Sequence, residues 1–318
     1  MRFRAVVMTA MCVLASRAGA QEPPSQRPTE PPALQRALGP ADIIMPHIMD
    51  SKKIDFPCFN KEWACEHEFA TVPVSIAGRT VDLGLSKHVF FMMFAAGLCA
   101  LVLIATARAH VRESAKGGHP RGFAAGLEAV VLYLRKEVFL PALGHGGEKY
   151  LPFVLTLFFF VLFMNMMGLL PYGSTPTGNV SVTATLAICS FIATEFAGMR
   201  ALGWGYLKTI FYWPSDMALA IKLPLTFVMT PVEIISKLTK PFALTIRLFA
   251  NMTAGHVIVL AMIGLIFTLH SWLVFVAVAP LAMAVGIMLL EVLVSFIQAF
   301  IFSLLASVFI GQIRSAHH

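Results

Sequence analysis

Charge is what this sequence is short of. Only 13% of its 318 residues are Asp, Glu, Lys or Arg, and 58% are hydrophobic, whereas soluble domains carry about 25% charged residues. A surface so poor in charge is not a soluble one, and the chain reads as an integral membrane protein. Acids are scarcer than bases, 17 against 24, which leaves a net charge of +7. Nucleic acid is still not an expected partner, because the bases do not cluster on a polar domain. They fall between apolar runs, where they set topology. Cysteine is sparse as well, with five in the chain. Cys58 and Cys65 flank Phe-Asn-Lys-Glu-Trp-Ala in a segment expected outside the cytoplasm, a compartment that permits a disulfide between them. His67 lies close by, but two Cys and one His are an incomplete metal set, so neither metal nor cofactor is expected. Cys99 and Cys189 fall inside apolar spans and read as packing residues.

The N-terminal end is organised for export. Met1 to Ala20 reads as a cleaved signal peptide: Arg2 and Arg4, an apolar run from Ala5 to Ala15, then Ala18-Gly19-Ala20 before Gln21. Residues 21–86 are then an extracytoplasmic segment. Its first part, 21–40, is rich in Pro, Gln and Glu and reads as disordered. Alternation in Thr71-Val-Pro-Val-Ser-Ile and Thr80-Val-Asp-Leu suggests one hairpin in the rest.

Residues 87–313 are expected to form an all-α polytopic membrane domain of about five crossings, followed by a cytoplasmic tail, 314–318. The first span is Val89–Ala107. Behind it come Arg108, Arg112, Lys116, Arg121, Arg135 and Lys136, which mark the cytoplasmic side. Residues 121–140 carry Phe123, Leu127, Val130, Val131 and Leu134 on one face, as an interfacial helix would, ending at Pro141. Pro152–Leu170 and Val182–Gly203 are the next two spans. Glu195 is the only acid in the latter, near its cytoplasmic end, where the interface would solvate it. Residues 204–223 suggest a shallow hairpin at the cytoplasmic surface. Pro224 to about Leu269, and Trp272 to Gly311, then read as helix almost without turn signals. About 45 residues of helix measure about 68 Å, against a hydrocarbon core of about 30 Å. Each therefore either breaks, at Pro231, Pro241 and Pro280, or lies steeply tilted.

The polar residues of that long pair carry the chemistry. At 100° per residue, Glu233, Ser236, Lys237, Lys240, Arg247 and Asn251 fall in one stripe about 100° wide. Lys237 is expected to snorkel to the cytoplasmic face. Arg247 stays protonated at any cellular pH, and a cation at mid-bilayer costs at least about 2.5–3.5 kcal/mol. It therefore calls for a partner charge or a watery cavity. His256 lies roughly half a turn round from Arg247 and about 13 Å along the helix. On the last helix Glu291, Ser295 and Gln298 share a stripe at spacings of four and three. His256 and Glu291 fall in the outward portions of antiparallel helices and are expected to meet. An acid and an imidazole exchange protons readily near neutral pH. Helix–helix adhesion would explain Asn251 and Gln298 alone; an Arg with an acid inward and an acid–imidazole pair outward points to an ion pathway.

The run Lys240-Pro-Phe-Ala-Leu-Thr-Ile-Arg247-Leu-Phe-Ala-Asn251-Met-Thr-Ala-Gly-His256 closely resembles the signature of subunit a of F-type ATP synthases. Phe163-Met-Asn-Met-Met-Gly-Leu-Leu-Pro-Tyr172, Asn179-Val-Ser-Val-Thr183 and Gln298-Ala-Phe-Ile-Phe302 resemble that family's other marks in the same order. The resemblance covers roughly residues 85–313. It implies a non-catalytic stator subunit that forms two proton half-channels against a rotating ring of c subunits. Its last two helices would make a long tilted hairpin along that ring. It further implies contacts with peripheral-stalk b subunits, other synthase subunits and lipid, in a bacterial inner membrane, with the N-terminus outside and the C-terminus inside. The family's stator arginine maps to Arg247, its amides to Asn251 and Gln298, and its inner acid to Glu233. The outer pair maps to His256 and Glu291 with the residue types exchanged, and Gly168 stands where some members place an acid. A self-contained secondary transporter with Arg247 in an anion site is the alternative; it favours internal repeats, and none is evident.

Overall fold

The structure is a computed structural model that describes residues 53–56, 65–68, 71–76, 79–84, 86–118, 122–144, 146–170, 173–206, 219–268 and 274–315. The signal peptide, the stretch 21–40 and Cys58, and with it the Cys58–Cys65 disulfide, lie outside the described residues. Ahead of the membrane helices the described chain forms two antiparallel hairpins rather than one. Strands β1 (Lys53–Phe56) and β2 (Cys65–Glu68) pair with Phe56 opposite Cys65. Strands β3 (Thr71–Ile76) and β4 (Arg79–Gly84) pair with Ile76 opposite Arg79. The second hairpin follows the alternation of its sequence. The first was not legible, because runs of four residues are too short to show a period.

Among the described residues five helices are long and apolar enough to cross a membrane. In chain order the helices are α1 (Lys87–Ala115), α2 (Phe123–Tyr133), α3 (Leu151–Met167), α4 (Val180–Leu202), α5 (Leu219–Thr268) and α6 (Val274–Ser315). The short α2 is the one that does not qualify; the other five are the crossings, so the membrane domain is all-α and polytopic. Helix α2 does not end at Pro141. It continues through a π turn, Leu134–Phe139, into Leu140–Leu143, where Pro141 occupies the first turn. There its missing N–H is not needed. Leu134, Phe139 and Leu143 are buried, while Phe123 is three-quarters exposed.

Helices α5 and α6 are continuous over 50 and 42 residues, with Pro224, Pro231 and Pro241 inside α5 and Pro280 inside α6. The breaks entertained at Pro231, Pro241 and Pro280 do not occur. Each proline removes one backbone hydrogen bond, whereas a break in an apolar span exposes several groups that lipid cannot satisfy. At 50 residues, α5 measures about 75 Å. A helix of that length fits about 30 Å of hydrocarbon only by tilting steeply. Residues 219–223 also belong to α5, so the expected surface hairpin does not extend over them. Leu-Ala-Ile-Lys-Leu is a run of mostly good helix formers that extends the helix ahead of Pro224.

The chain divides into two compact units. The first comprises Met1–Val102, Phe159–Thr185 and Leu248–Ala299; the second, Leu103–Phe158, Leu186–Arg247 and Phe300–His318. In the first, Met92, Ala95, Val161, Met164, Leu248 and Met252 are buried. Its polar interior is ordered by Asn165, whose Oδ1 accepts from Thr177 Oγ1 at 2.7 Å and whose Nδ2 donates to the Ser295 carbonyl at 3.4 Å. In the second, Val154, Phe158, Ala197, Phe302, Ala306 and Ile310 are buried.

Candidate functional site

Two polar clusters are built into the long helices, one in each unit. In the first unit, α5 presents His256 to Glu291 of α6, with Nδ1 3.5 Å from Oε1. The Glu291 side chain is 6% exposed and that of His256 23%, so the acid is enclosed and the imidazole opens outward from it. Gly255 makes the enclosure possible: a Cβ there would lie 3.2 Å from the Glu291 Cδ, tighter than most packed contacts. Ser295 and Gln298 follow Glu291 along α6 and are also buried. His256 also borders a cavity of about 10 Å³ shared with His88, Ser174, Thr175, Gly178, Met252 and Thr253. That is room for about one water, and the buried Thr175 and Thr253 hydroxyls beside it have no hydrogen-bond partner among the described residues. The imidazole thus has both a carboxylate and a polar niche beside it, an arrangement suited to passing a proton.

Gly168 belongs to the same unit and explains one departure from the expected pattern. A side chain there would run into Thr175 Oγ1 and lie 2.8 Å from its Cβ. The place of an acid at this position is filled by the threonine.

In the second unit a cavity of about 190 Å³ opens between α4, α5 and α6. Its polar lining is Ser190, Thr194 and Glu195 from α4, Glu233, Lys237 and Lys240 from α5, and Gln312 from α6. The volume admits several waters. Lys237 is held by side chains of this unit. Its ammonium donates to Tyr206 Oη at 2.8 Å, lies 4.5 Å from the centre of that ring, and sits 3.7 Å from Glu195 Oε1. The Lys237 and Glu195 side chains are only 12% and 19% exposed, so Glu195 is paired in the protein rather than solvated at the interface. The Lys240 ammonium lies 4.5 Å from the Phe309 ring centre, a cation–π contact. The roles of Glu195 and Lys237 were missed because they sit on different helices. The one available signal was that Glu195 is the sole acid of α4.

Arg247 and Asn251 lie one turn apart on α5, and both are exposed, next to the buried Leu244, Leu248 and Met252. Among the described residues Arg247 makes no ion pair within the chain. The structure therefore joins His256 to Glu291 and puts Glu233 on the wall of a polar cavity. It buries Gln298 and leaves Arg247 and Asn251 on an outer helix face.

A polytopic helical membrane protein with ionisable groups clustered inside its longest helices is of the ion-translocating class, since such groups are costly in lipid without a use. Comparison with known proteins is more specific. Residues 89–311 match the ATP synthase A chain family. ATP synthase subunit a 2 of Chlorobaculum tepidum is 40% identical over 279 residues, covering 87% of this chain and 74% of that protein. ATP synthase subunit a 2 of Chlorobium luteolum is 37% identical over 316 residues, covering 96% and 88%. ATP synthase subunit a of Anaeromyxobacter dehalogenans is 40% identical over 284 residues, covering 87% and 70%. The chain belongs to the ATP synthase A chain family.

Proposed function

We propose that this chain is the stator subunit a of an F-type ATP synthase and carries protons through two offset half-channels against a rotating c-subunit ring. Other ATP synthase subunits are its partners; the c ring and peripheral-stalk b subunits are the specific contacts proposed. The observation that carries the proposal is Arg247, a permanent cation exposed on a membrane-crossing helix and without an ion pair among the described residues. Such a charge is best accommodated by a carboxylate on another subunit. Along α5, Glu233 precedes it and His256 follows it, which suits an exit on one side and an entrance on the other.

A proton enters from outside by way of His256 and Glu291 and neutralises a ring carboxylate. The neutral carboxyl can face lipid where the carboxylate cannot. After rotation the proton is released inward near Glu233. Arg247 favours loss of that proton by stabilising the carboxylate it leaves behind, and repels one that would leak directly across. About 100 mV of potential supplies about 2.3 kcal/mol per proton, so a much stronger ion pair would stall the rotor. Water around the exposed Arg247 keeps that pair breakable. The subunit is non-catalytic, and we place it in a bacterial inner membrane with residues 21–86 outside, 87–313 in the membrane and 314–318 inside. The test is ATP-driven proton pumping by Arg247→Ala in inverted vesicles. Assembled enzyme with no coupled pumping is expected, and coupled pumping by the variant would sink the proposal.

A further inference from the structure

Glu233 and Lys237 are one turn apart on α5, in the order and at the spacing that favour a helical ion pair. That pair is not made. Among the described residues Glu233 has no ion-pair partner, and the Lys237 ammonium is turned to Glu195 and Tyr206 instead. Lys240, the other cation on the cavity wall, is turned to the Phe309 ring. The cavity thus holds two acids and two lysines, with both lysines drawn off one of the acids.

We infer that Glu195 is a positioning residue of the inner proton path: it holds Lys237 away from Glu233, so that Glu233 stays free to take up and release protons. This rests on the inner-path role given to Glu233 above. A carboxylate locked in an ion pair strongly favours its charged form and makes a poor transient proton acceptor. Glu233 must accept a proton arriving from the ring and hand it to cavity water, ending as the carboxylate it began as. Glu195 supplies the competing negative charge, the Tyr206 hydroxyl and ring face supply the rest of the Lys237 site, and Phe309 occupies Lys240. Ser190 and Thr194 complete the α4 side of the cavity, but their hydroxyls are neutral and supply Lys237 no countercharge in place of Glu195. Removing Glu195 leaves Glu233 as the nearest carboxylate on the same helix for Lys237 to claim.

The inference separates from a purely structural or a proton-carrying role by second-site rescue. The assay is ATP-driven pumping in inverted vesicles carrying the whole synthase, normalised to the amount of assembled enzyme. Glu195→Gln is expected to lower pumping several-fold, and Glu195→Gln with Lys237→Gln to bring it back to within about twofold of the parent, because no cation remains to capture Glu233. Normalisation removes any loss of assembly caused by leaving Lys237 without its partner. Parental pumping by Glu195→Gln, or a double variant as impaired as the single, overturns the inference. Glu233→Gln is measured in parallel. If it pumps like the parent, the inner-path role of Glu233 itself is wrong. If it fails while Glu195→Gln pumps normally, only the role of Glu195 is.

Discussion

Glu291 of α6 rests against the bare backbone of Gly255 on α5, and its Oε1 lies 3.5 Å from Nδ1 of the neighbouring His256. The contact defines which of two ionisable groups is inside. The carboxylate is nearly sealed, while the imidazole keeps one edge toward the small cavity near His88 and Thr175.

Exchanging the two residues keeps an acid–imidazole pair. His256→Glu with Glu291→His is therefore expected to retain more ATP-driven pumping than either single change, although histidine must then fit beside Gly255. Proton pumping in inverted vesicles measures this. Harmless single changes would show that the outer path runs elsewhere.

Gly255→Ala separates stability from transport. Within a helix the change is favourable by up to about 1 kcal/mol, but the new Cβ would crowd Glu291 at 3.2 Å. Assembly is expected to hold while pumping per enzyme falls several-fold, with Gly255→Val worse. Equal loss of assembled enzyme and pumping would instead indicate a packing defect alone.

Arg247→Lys keeps a positive charge and is still expected to couple poorly. Lysine is a compact point charge that can lose its proton when desolvated, whereas guanidinium holds its own and spreads its donors. Synthesis driven by an imposed proton gradient is the sensitive measurement. Rates near those of the parent would mean that charge alone suffices.

Gly168→Asp would install the acid that some relatives are expected to have here. Thr175 already fills the space, and overpacking costs about 1–3 kcal/mol, so the amount of assembled subunit should drop. Gly168→Asp with Thr175→Ala should recover part of it. Quantifying the subunit in washed membranes checks both.

The amino-acid sequence alone determined the five crossings, the helical stripe bearing Arg247, and the pairing of His256 with Glu291. Each of these rests on something local: hydropathy over a helical length, the 100° step between residues, or the reversal of two consecutive helices. The first β hairpin was hidden because short strands carry little period. The continuity of α5 and α6 through four prolines was hidden because residue preference opposes it, while the demand of lipid for paired backbone groups enforces it. Tertiary structure alone decided where the charges of the inner cavity go. Lys237 could have paired with Glu233 on its own helix or with Glu195 across from α4, and no spacing within one helix tells which. Packing of Tyr206 and Glu195 around the ammonium made that choice, because the better site for a nearly buried cation is the one that supplies both a countercharge and a hydrogen-bond acceptor.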